Sequence, residues 1–178
     1  ELCNPYRPEK VDSYELGIKN VLADGALILN IAAFYDKHKD IQLSVFDATG
    51  AAASTVLNAA KATIKGIEVE TVIRPSDSFT VNASFAYLDA KYDSFLDGGV
   101  DVSNNRAFPH TPKYSAAVGV DWRAAEGDWG RLNIVGDLNM VSKYYAFPYA
   151  FRPEAVPAQL AGNSQAPGRV TANMSITL

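Results

Sequence analysis

Hydrophobic and polar residues alternate with a period of two along most of this chain. In residues 169–178 every even-numbered position is apolar, from Val170 to Leu178, and every odd-numbered position is polar or charged. This pattern predicts a β-strand, because successive strand side chains point to opposite faces, whereas a helix would scatter them around its circumference. The alternation recurs along the chain and predicts strands at residues 11–22, 26–46, 55–74, 79–94, 113–124, 131–146 and 167–178.

The second predicted strand has the least regular pattern, since Ile28 and Phe34 fall on its otherwise polar side. Several predicted strands are longer than the five or six residues that are usual in soluble proteins. Strands of this length are expected where they cross a bilayer and continue beyond it.

The connections between the predicted strands alternate in length. Short connections at 23–25, 75–78 and 125–130 carry turn residues such as Asp24-Gly25. Longer connections lie at 47–54, 95–112 and 147–166. Short turns at one end and long loops at the other are typical of outer-membrane barrels, where the short turns face the periplasm. We therefore expect an all-β fold, an antiparallel β-meander with a lipid-facing side and a lumen-facing side.

Aromatic residues are concentrated near the ends of the predicted strands. These residues are Tyr14, Tyr35, Phe79, Tyr87, Tyr114, Trp122 and Tyr145. The interfacial girdles of a membrane barrel would place aromatic rings at strand ends. The alternative is that these residues reflect only the general preference of aromatic side chains for strands.

The composition excludes several classes of protein. Of the 178 residues, 48% are hydrophobic and 20% are charged, which indicates a folded chain. A net charge of −4 argues against a nucleic-acid partner. Cys3 is the single cysteine, and the sequence has no CxxC motif or Cys/His cluster, so neither an internal disulfide nor a structural zinc site is predicted.

The two ends of the sequence suggest that the chain is a piece of a longer protein. The opening residues ELCNPYRPEK lack the apolar segment and cleavage site of a signal peptide. The closing residues MSITL stop within an alternating pattern. We expect residues 1–178 to form part of one β-barrel domain.

Five short blocks, in order, resemble barrel strands of TonB-dependent receptors. The residues from Arg7 to Lys19 resemble the pattern PE…YE.G.K with which the later barrel begins. The other blocks follow as Phe34-Tyr35 with Ile41-Gln42, Asn58-Ala59 with Gly66-Ile67-Glu68, Tyr87 to Ala90, and Pro109 to Lys113. The blocks cover residues 7–124, and residues 125–178 match mainly by alternation. Alanine stands at 59 and 60 where the family commonly has glycine, and the family's final strand with its terminal aromatic residue is missing.

This resemblance implies the C-terminal part of a 22-stranded transmembrane β-barrel in the outer membrane of a Gram-negative bacterium. It further implies a plug domain, absent from this chain, and import of a scarce nutrient such as a siderophore–iron complex. The implied partners are outer-membrane lipid, the remainder of the barrel and plug, the TonB system and a small-molecule ligand. No cofactor is implied.

Charged residues on the polar sides of the predicted strands are expected to face the lumen, mainly as structural groups. They are Glu15, Lys19, Glu68, Glu70, Asp121, Arg123, Arg131 and Asp137. His38, His110 and Cys3 have no recognisable catalytic partner, and no phosphate-binding glycine motif is present. The sequence therefore predicts no catalytic, cofactor-binding or metal site.

The long loops carry the candidate ligand contacts. Exposed aromatic rings beside arginine suit a planar or anionic ligand such as a metal chelate. The candidate residues are Arg106, His110, Tyr145, Phe147, Tyr149 and Arg152. The alternative for these aromatics is a packed loop that continues an interfacial girdle.

Two other functions are compatible with the alternation. A soluble β-barrel or sandwich could bind an apolar ligand with its apolar face turned inward. An outer-membrane barrel could also be an enzyme, although that would require a catalytic group that the sequence does not reveal.

Overall fold

The computed structural model describes residues 6–46, 54–147 and 165–178, and most of these residues are in β-strands. The strands are β1 (Lys10–Leu22), β2 (Leu27–Phe46), β3 (Ser54–Ser76), β4 (Phe79–Asp97), β5 (Val100–Asp101), β6 (Tyr114–Gly127), β7 (Gly130–Val141), β8 (Tyr144–Tyr145), β9 (Gln165–Ala166) and β10 (Arg169–Thr177). Two short 3-10 turns lie at Ala23–Gly25 and Ser103–Asn105. No helix among the described residues is long and apolar enough to cross a membrane.

The seven long strands form one antiparallel sheet in the order β1-β2-β3-β4-β6-β7-β10. Each long strand pairs with the next long strand along the chain, which confirms the predicted meander. β5 folds back onto the end of β4, and β8 pairs with β9 in a separate two-stranded ladder.

The sixth predicted strand, 131–146, is longer than the strand observed there, β7. β7 ends at Val141, where the Tyr114 N–H donates to the Ser142 hydroxyl at 3.0 Å and the Ser142 N–H donates to the Tyr114 carbonyl at 2.8 Å. β6 begins at Tyr114, so no ladder on that side extends beyond this point. Tyr144–Tyr145 pairs instead with Gln165–Ala166.

The cross-strand register collects the apolar residues of all seven long strands on one face. One row of paired residues crosses the whole sheet: Ile18, Ile31, Val69, Phe85, Ala116, Met140 and Val170. In the part of this face between the levels of Phe79 and Tyr87, two polar residues interrupt the apolar surface, Asn20 and Thr71. The Thr71 hydroxyl is satisfied, because it donates to the Ile28 carbonyl at 2.9 Å.

The opposite face is polar in its central rows. The row displaced by one residue from the apolar row consists of Lys19, Asn30, Glu70, Ser84, Ala117, Asn139 and Thr171. Two apolar residues that disturbed the pattern of the second predicted strand also lie on this face. Ile28 pairs with Val72, and Phe34 lies over Gly66.

The sheet curves with its polar face on the inside. Along residues 31–40 of β2, the side chains of the apolar face are exposed and those of the polar face are half-buried. A concavity of about 410 Å³ lies on the polar face and is lined from β2 to β7 by residues that include Asn30, Glu70, Asn82 and Asp137. The convex face therefore presents the apolar residues, with Leu16 77% and Met174 72% exposed.

Aromatic residues lie at two levels of the convex face. Tyr87 pairs with Tyr114, with ring centroids 5.5 Å apart, and Phe79 pairs with Trp122, with ring centroids 6.4 Å apart. These two pairs are separated by eight residues, about 27 Å along the strands. If the strands tilt by about 35–45° from the barrel axis, the two levels are about 20 Å apart along that axis, measured between Cα atoms. The rings therefore bracket a band close in height to the apolar band of a membrane barrel, which is roughly 25 Å. Tyr145 lies outside the sheet, in β8.

Gly66 allows a close contact between β3, β4 and the ring of Phe34. A Cβ atom at this position would lie 2.7 Å from Phe34 Cζ and would also collide with the backbone carbonyl oxygen of Tyr87. The carbonyl cannot move without disturbing the β3–β4 ladder, so the contact requires glycine.

We expect Gly66→Ala to destabilise the folded sheet by about 1–3 kcal/mol, because the added methyl group overpacks this contact. Gly119→Ala is the matched control, since Gly119 lies on the same concave face and a Cβ there would meet nothing within 4 Å. The control should be neutral or slightly stabilising. Urea unfolding in detergent, followed by tryptophan fluorescence, measures both variants, and equal destabilisation of the two would contradict the assignment.

Candidate functional site

The buried hydrophobic core of the described residues lies at the long-loop end of the sheet. It consists of Ala59, Ala60, Ala62, Tyr92 and Phe95. Alanines at these β3 positions leave space for the two rings of β4, whose centroids are 5.0 Å apart. Val102 and Phe108 from the β4–β6 connection pack against this cluster.

The connection between β4 and β6, residues 98–113 (hereafter the β4–β6 loop), folds over the concave side of the sheet. The covered cluster lies on the polar face of β3. Ala62 is an even number of residues from Gly66 and from Glu68, four and six respectively, so its side chain is on the same face as theirs. The Phe108 ring lies 4.8 Å from that of Tyr92. The loop therefore packs onto this end of the sheet and does not extend freely away from the strands.

Asp101 holds the beginning of the β4–β6 loop. Its Oδ1 atom accepts hydrogen bonds from the Ser103 N–H at 2.9 Å and from the Phe95 N–H at 3.1 Å. These bonds, with that from Ser103 the larger influence, hold the pKa of Asp101 below its usual range. The loop is also tied to β4 by a bond of 2.7 Å from the Val102 N–H to the Phe95 carbonyl.

Arg106, one of the predicted ligand contacts, is buried within the same loop. Its guanidinium lies 3.3 Å from the Asp97 carboxylate and 2.7 Å from the Asn105 side-chain oxygen. These contacts join the second half of the loop to the end of β4. The arginine therefore shapes the loop, and its role as a ligand contact stays a prediction.

Two other predicted residues, His110 and Tyr145, lie where two long connections meet, and a third, Phe147, follows Tyr145 by two residues. The His110 N–H donates to the Tyr145 carbonyl at 2.7 Å, and the His110 ring is 6.0 Å from the ring of Tyr144. His110 is exposed, Tyr145 is half-buried and Phe147 is 62% exposed. Tyr149 and Arg152, the remaining two predicted residues, lie outside the described residues.

A cavity of about 380 Å³ opens beside this meeting point, between the end of β4 and the two connections. It is lined by aromatic side chains and by charged groups that the sequence did not single out, among them Lys91, Lys113, Lys143 and Asp89. Two of them can be placed from the order of the strands. Lys113 directly precedes β6 and Lys143 follows the end of β7 by two residues, so antiparallel pairing places both at the same end of the sheet. Among the described residues, no three His, Cys, Asp or Glu side chains are grouped as potential metal ligands.

The chain is similar to known outer-membrane receptors. A family model described as TonB dependent receptor-like, beta-barrel, matches residues 4–178. The ferric yersiniabactin uptake receptor FyuA from Yersinia pestis is 24% identical, with a TM-score of 0.69 over 94% of this chain and 22% of that protein. BauA, the ferric preacinetobactin receptor from Acinetobacter baumannii, is 23% identical, with a TM-score of 0.62 over 94% of this chain and 22% of that protein.

The FrpB iron transporter from Neisseria meningitidis is 15% identical, with a TM-score of 0.63 over 97% of this chain and 25% of that protein. At these identities the likeness to the solved structures concerns the fold. The chain spans 22–25% of the length of these three proteins.

We expect Asp101→Ala to loosen the β4–β6 loop, because the N–H groups of Phe95 and Ser103 would lose their shared acceptor. Asn104→Ala is the control, since Asn104 is exposed in the same 3-10 turn. Amide hydrogen exchange at pH 7 should become faster at Phe95 and Ser103 in the first variant and stay unchanged in the second. Unchanged exchange in both would show that Asp101 does not hold the loop.

The loop should also be insensitive to moderate acid. A carboxyl whose pKa is lowered in the folded protein contributes stability above its unfolded pKa and loses it as the pH falls through the folded pKa. The protection of Ser103 should therefore persist down to the usual range of an aspartic acid and decline only below it. Loss of protection between pH 7 and pH 5, measured by the same exchange experiment, would contradict this.

Proposed function

Because the chain belongs to the family of TonB-dependent receptor-like β-barrels, we propose that it forms part of the wall and outer loops of a receptor that imports a scarce nutrient across the outer membrane of a Gram-negative bacterium. The nutrient class that we propose is an iron complex of a siderophore. Two of the structurally similar proteins are receptors for ferric siderophores by name, FyuA and BauA.

The observation that supports a membrane-embedded wall is the direction of curvature. The convex face is apolar and the concave face is polar in its central rows. Leaving a large aliphatic side chain in water costs about 1.5–3 kcal/mol relative to burying it, so a convex face of this composition requires an apolar surrounding. A soluble barrel or sandwich would have the opposite arrangement, with its apolar face on the inside.

In the proposed receptor, the seven long strands form roughly a third of a closed barrel. The other strands, a plug domain within the lumen and a segment that contacts TonB would come from the remainder of the protein. Transport would have three steps: the loops capture the ligand, the ligand reaches a site above the plug, and energised movement of the plug opens the lumen. The concave face would contact water and the plug through side chains such as Glu70 and Asp137.

The meeting point of the two long connections is the proposed ligand-contact surface in this chain. His110, Tyr145 and Phe147 offer ring surfaces, and Lys113 and Lys143 add positive charge at the adjoining cavity. Rings beside cations suit a ferric chelate that carries aromatic or carboxylate groups. Arg106 would support this surface through its contact with Asp97, and we retain Tyr149 and Arg152 as candidate contacts.

No reaction chemistry is proposed for this chain, since members of this family are receptors and transporters. This disfavours the alternative of an outer-membrane barrel enzyme. We interpret His38 as a residue of the sheet and His110 as a residue of the loop surface.

In the complete receptor, we expect joint replacement of His110, Tyr145 and Phe147 by alanine to weaken ligand uptake at least about tenfold, as loss of clustered aromatic contacts does in other binding sites. The probes are radioactive ferric complexes of a catecholate, a hydroxamate and a citrate-type chelator, supplied to iron-starved cells. Trp129→Ala is the control, because Trp129 is an exposed aromatic residue at the short-turn end of the sheet.

Uptake of one probe that fails in the triple variant and persists in the control would support both the transport function and the loop surface. Uptake that is equal in all three proteins would refute the loop surface alone. If the unmodified receptor took up none of the three probes, the siderophore class would be wrong.

A further inference from the structure

A group of lysines lies on the convex face at the long-loop end, directly beyond the tyrosines. We call this group the lysine patch. It comprises Lys10, Lys37, Lys39, Lys61, Lys65 and Lys91, which share the face of the tyrosines in the register, and Lys113, whose ammonium reaches two of those tyrosine rings. Of the nine lysines in the sequence, only Lys19 lies away from this end of the sheet, on the concave face.

The cross-strand register places the patch beside the tyrosine level. Lys65 pairs with Tyr35, and Lys37 and Lys39 follow Tyr35 by two and four residues on the same face of β2. Two and four residues of strand correspond to about 7 and 14 Å. Lys91 follows Tyr87 by four residues on β4. The patch therefore occupies the level just outside the band that the aromatic rings delimit.

Three cation–ring contacts, made by two lysines, connect the patch directly to the tyrosines. Lys113 Nζ lies 5.8 Å from the ring centroids of both Tyr87 and Tyr114. Lys37 Nζ lies 5.7 Å from the ring centroid of Tyr35. These ammonium groups thus sit at the boundary between the apolar band and the polar region above it.

The patch keeps a local excess of positive charge although the whole chain carries a net charge of −4. Three aspartates lie among the seven lysines, Asp12, Asp89 and Asp93, and a fourth, Asp40 beside Lys39, is paired with Arg7. Asp12 is 2.6 Å from Lys39 Nζ, and Asp89 is 3.3 Å from Lys91 Nζ and 3.8 Å from Lys65 Nζ. The side chains of these three lysines are about half-exposed, so the carboxylates orient them without removing them from solvent.

We propose that the lysine patch binds the phosphate groups of lipids in the outward-facing leaflet. This inference rests on the proposed placement of the sheet in the outer membrane. Basic residues next to a bilayer attract anionic headgroups, and a lysine ammonium is a mobile point charge that can follow a phosphate. The patch extends from β1 to the start of β6, five neighbouring strands at about 4.8 Å spacing, which is wide enough for more than one headgroup.

The experiment compares lipid binding by the complete receptor in neutral detergent micelles. The probes are fluorescent phosphatidic acid and fluorescent phosphatidylcholine of the same chain length, which differ in net headgroup charge. The test variant is Lys37→Gln/Lys61→Gln/Lys65→Gln. The control is Lys19→Gln/Arg74→Gln/Arg169→Gln, which removes three positive charges that lie outside the lysine patch. Heat-dependent gel mobility verifies that each variant is folded.

We expect the unmodified receptor to prefer phosphatidic acid by at least about tenfold, and this preference to weaken as salt is raised from about 50 to 500 mM. The test variant should lose the preference and the control should keep it. The corresponding Lys→Arg triple variant should also keep it, because the charge is retained. A preference that survives in the test variant, or that is absent in the unmodified receptor, would overturn the proposal.

Two further measurements distinguish lipid binding from binding of free anions and from transport. If inorganic phosphate alone binds the receptor with the same dependence on Lys37, Lys61 and Lys65, the patch is a site for free anions and the lipid proposal is wrong. Uptake of the ferric probes is measured in the same variants. Loss of lipid preference with intact uptake would support the patch as a lipid site separate from transport. A receptor that prefers phosphatidic acid but takes up no ferric probe would retain the lipid site and refute the siderophore function.

Discussion

The cross-strand backbone register is the constraint on which the rest of this structure depends. Side chains alternate with a period of two, so a slip of one residue between neighbouring strands would move every apolar residue of a strand to the other face. The observed pairing aligns Ile18 with Val170 through five intervening strands and keeps Glu70 and Asn139 on the opposite side. The convex apolar surface, the polar concavity and the two levels of aromatic rings all follow from this alignment.

The alternation predicts the strands well because it is a local property, and it fails where pairing between distant residues decides the outcome. Residues 169–178 could be assigned from their own pattern, whereas the end of β7 at Val141 depends on where β6 begins. Arg106 is buried with its guanidinium against Asp97, nine residues earlier in the chain, and no local pattern connects the two. The direction of curvature and the lysine patch are also non-local, since each requires several strands to be placed side by side. The ligand contacts were predicted from residue type alone, and the structure brings together His110 and Tyr145 while it buries Arg106.

The sheet and the long-loop end are stabilised in different ways. Across the sheet, the apolar side chains point outward and contribute stability only when an apolar medium covers them. At the long-loop end, the described residues form their own small core, with Phe95 fully buried and the β4–β6 loop anchored by Asp101. The loop surface around His110 is thus supported by contacts within the chain itself.

The contact between Phe34 and Gly66 distinguishes between alignments of β2 with β3 that the alternation of apolar and polar residues does not distinguish. A slip of two residues between β2 and β3 would preserve both faces, so hydrophobicity alone scarcely distinguishes the native alignment from its nearest alternatives. In those alternatives the ring of Phe34 would lie against Ile64 or Glu68, whose side chains occupy the space that Gly66 leaves empty. A single ring and a single missing side chain therefore select one alignment of β2 and β3 from several that the alternation of apolar and polar residues would allow equally well.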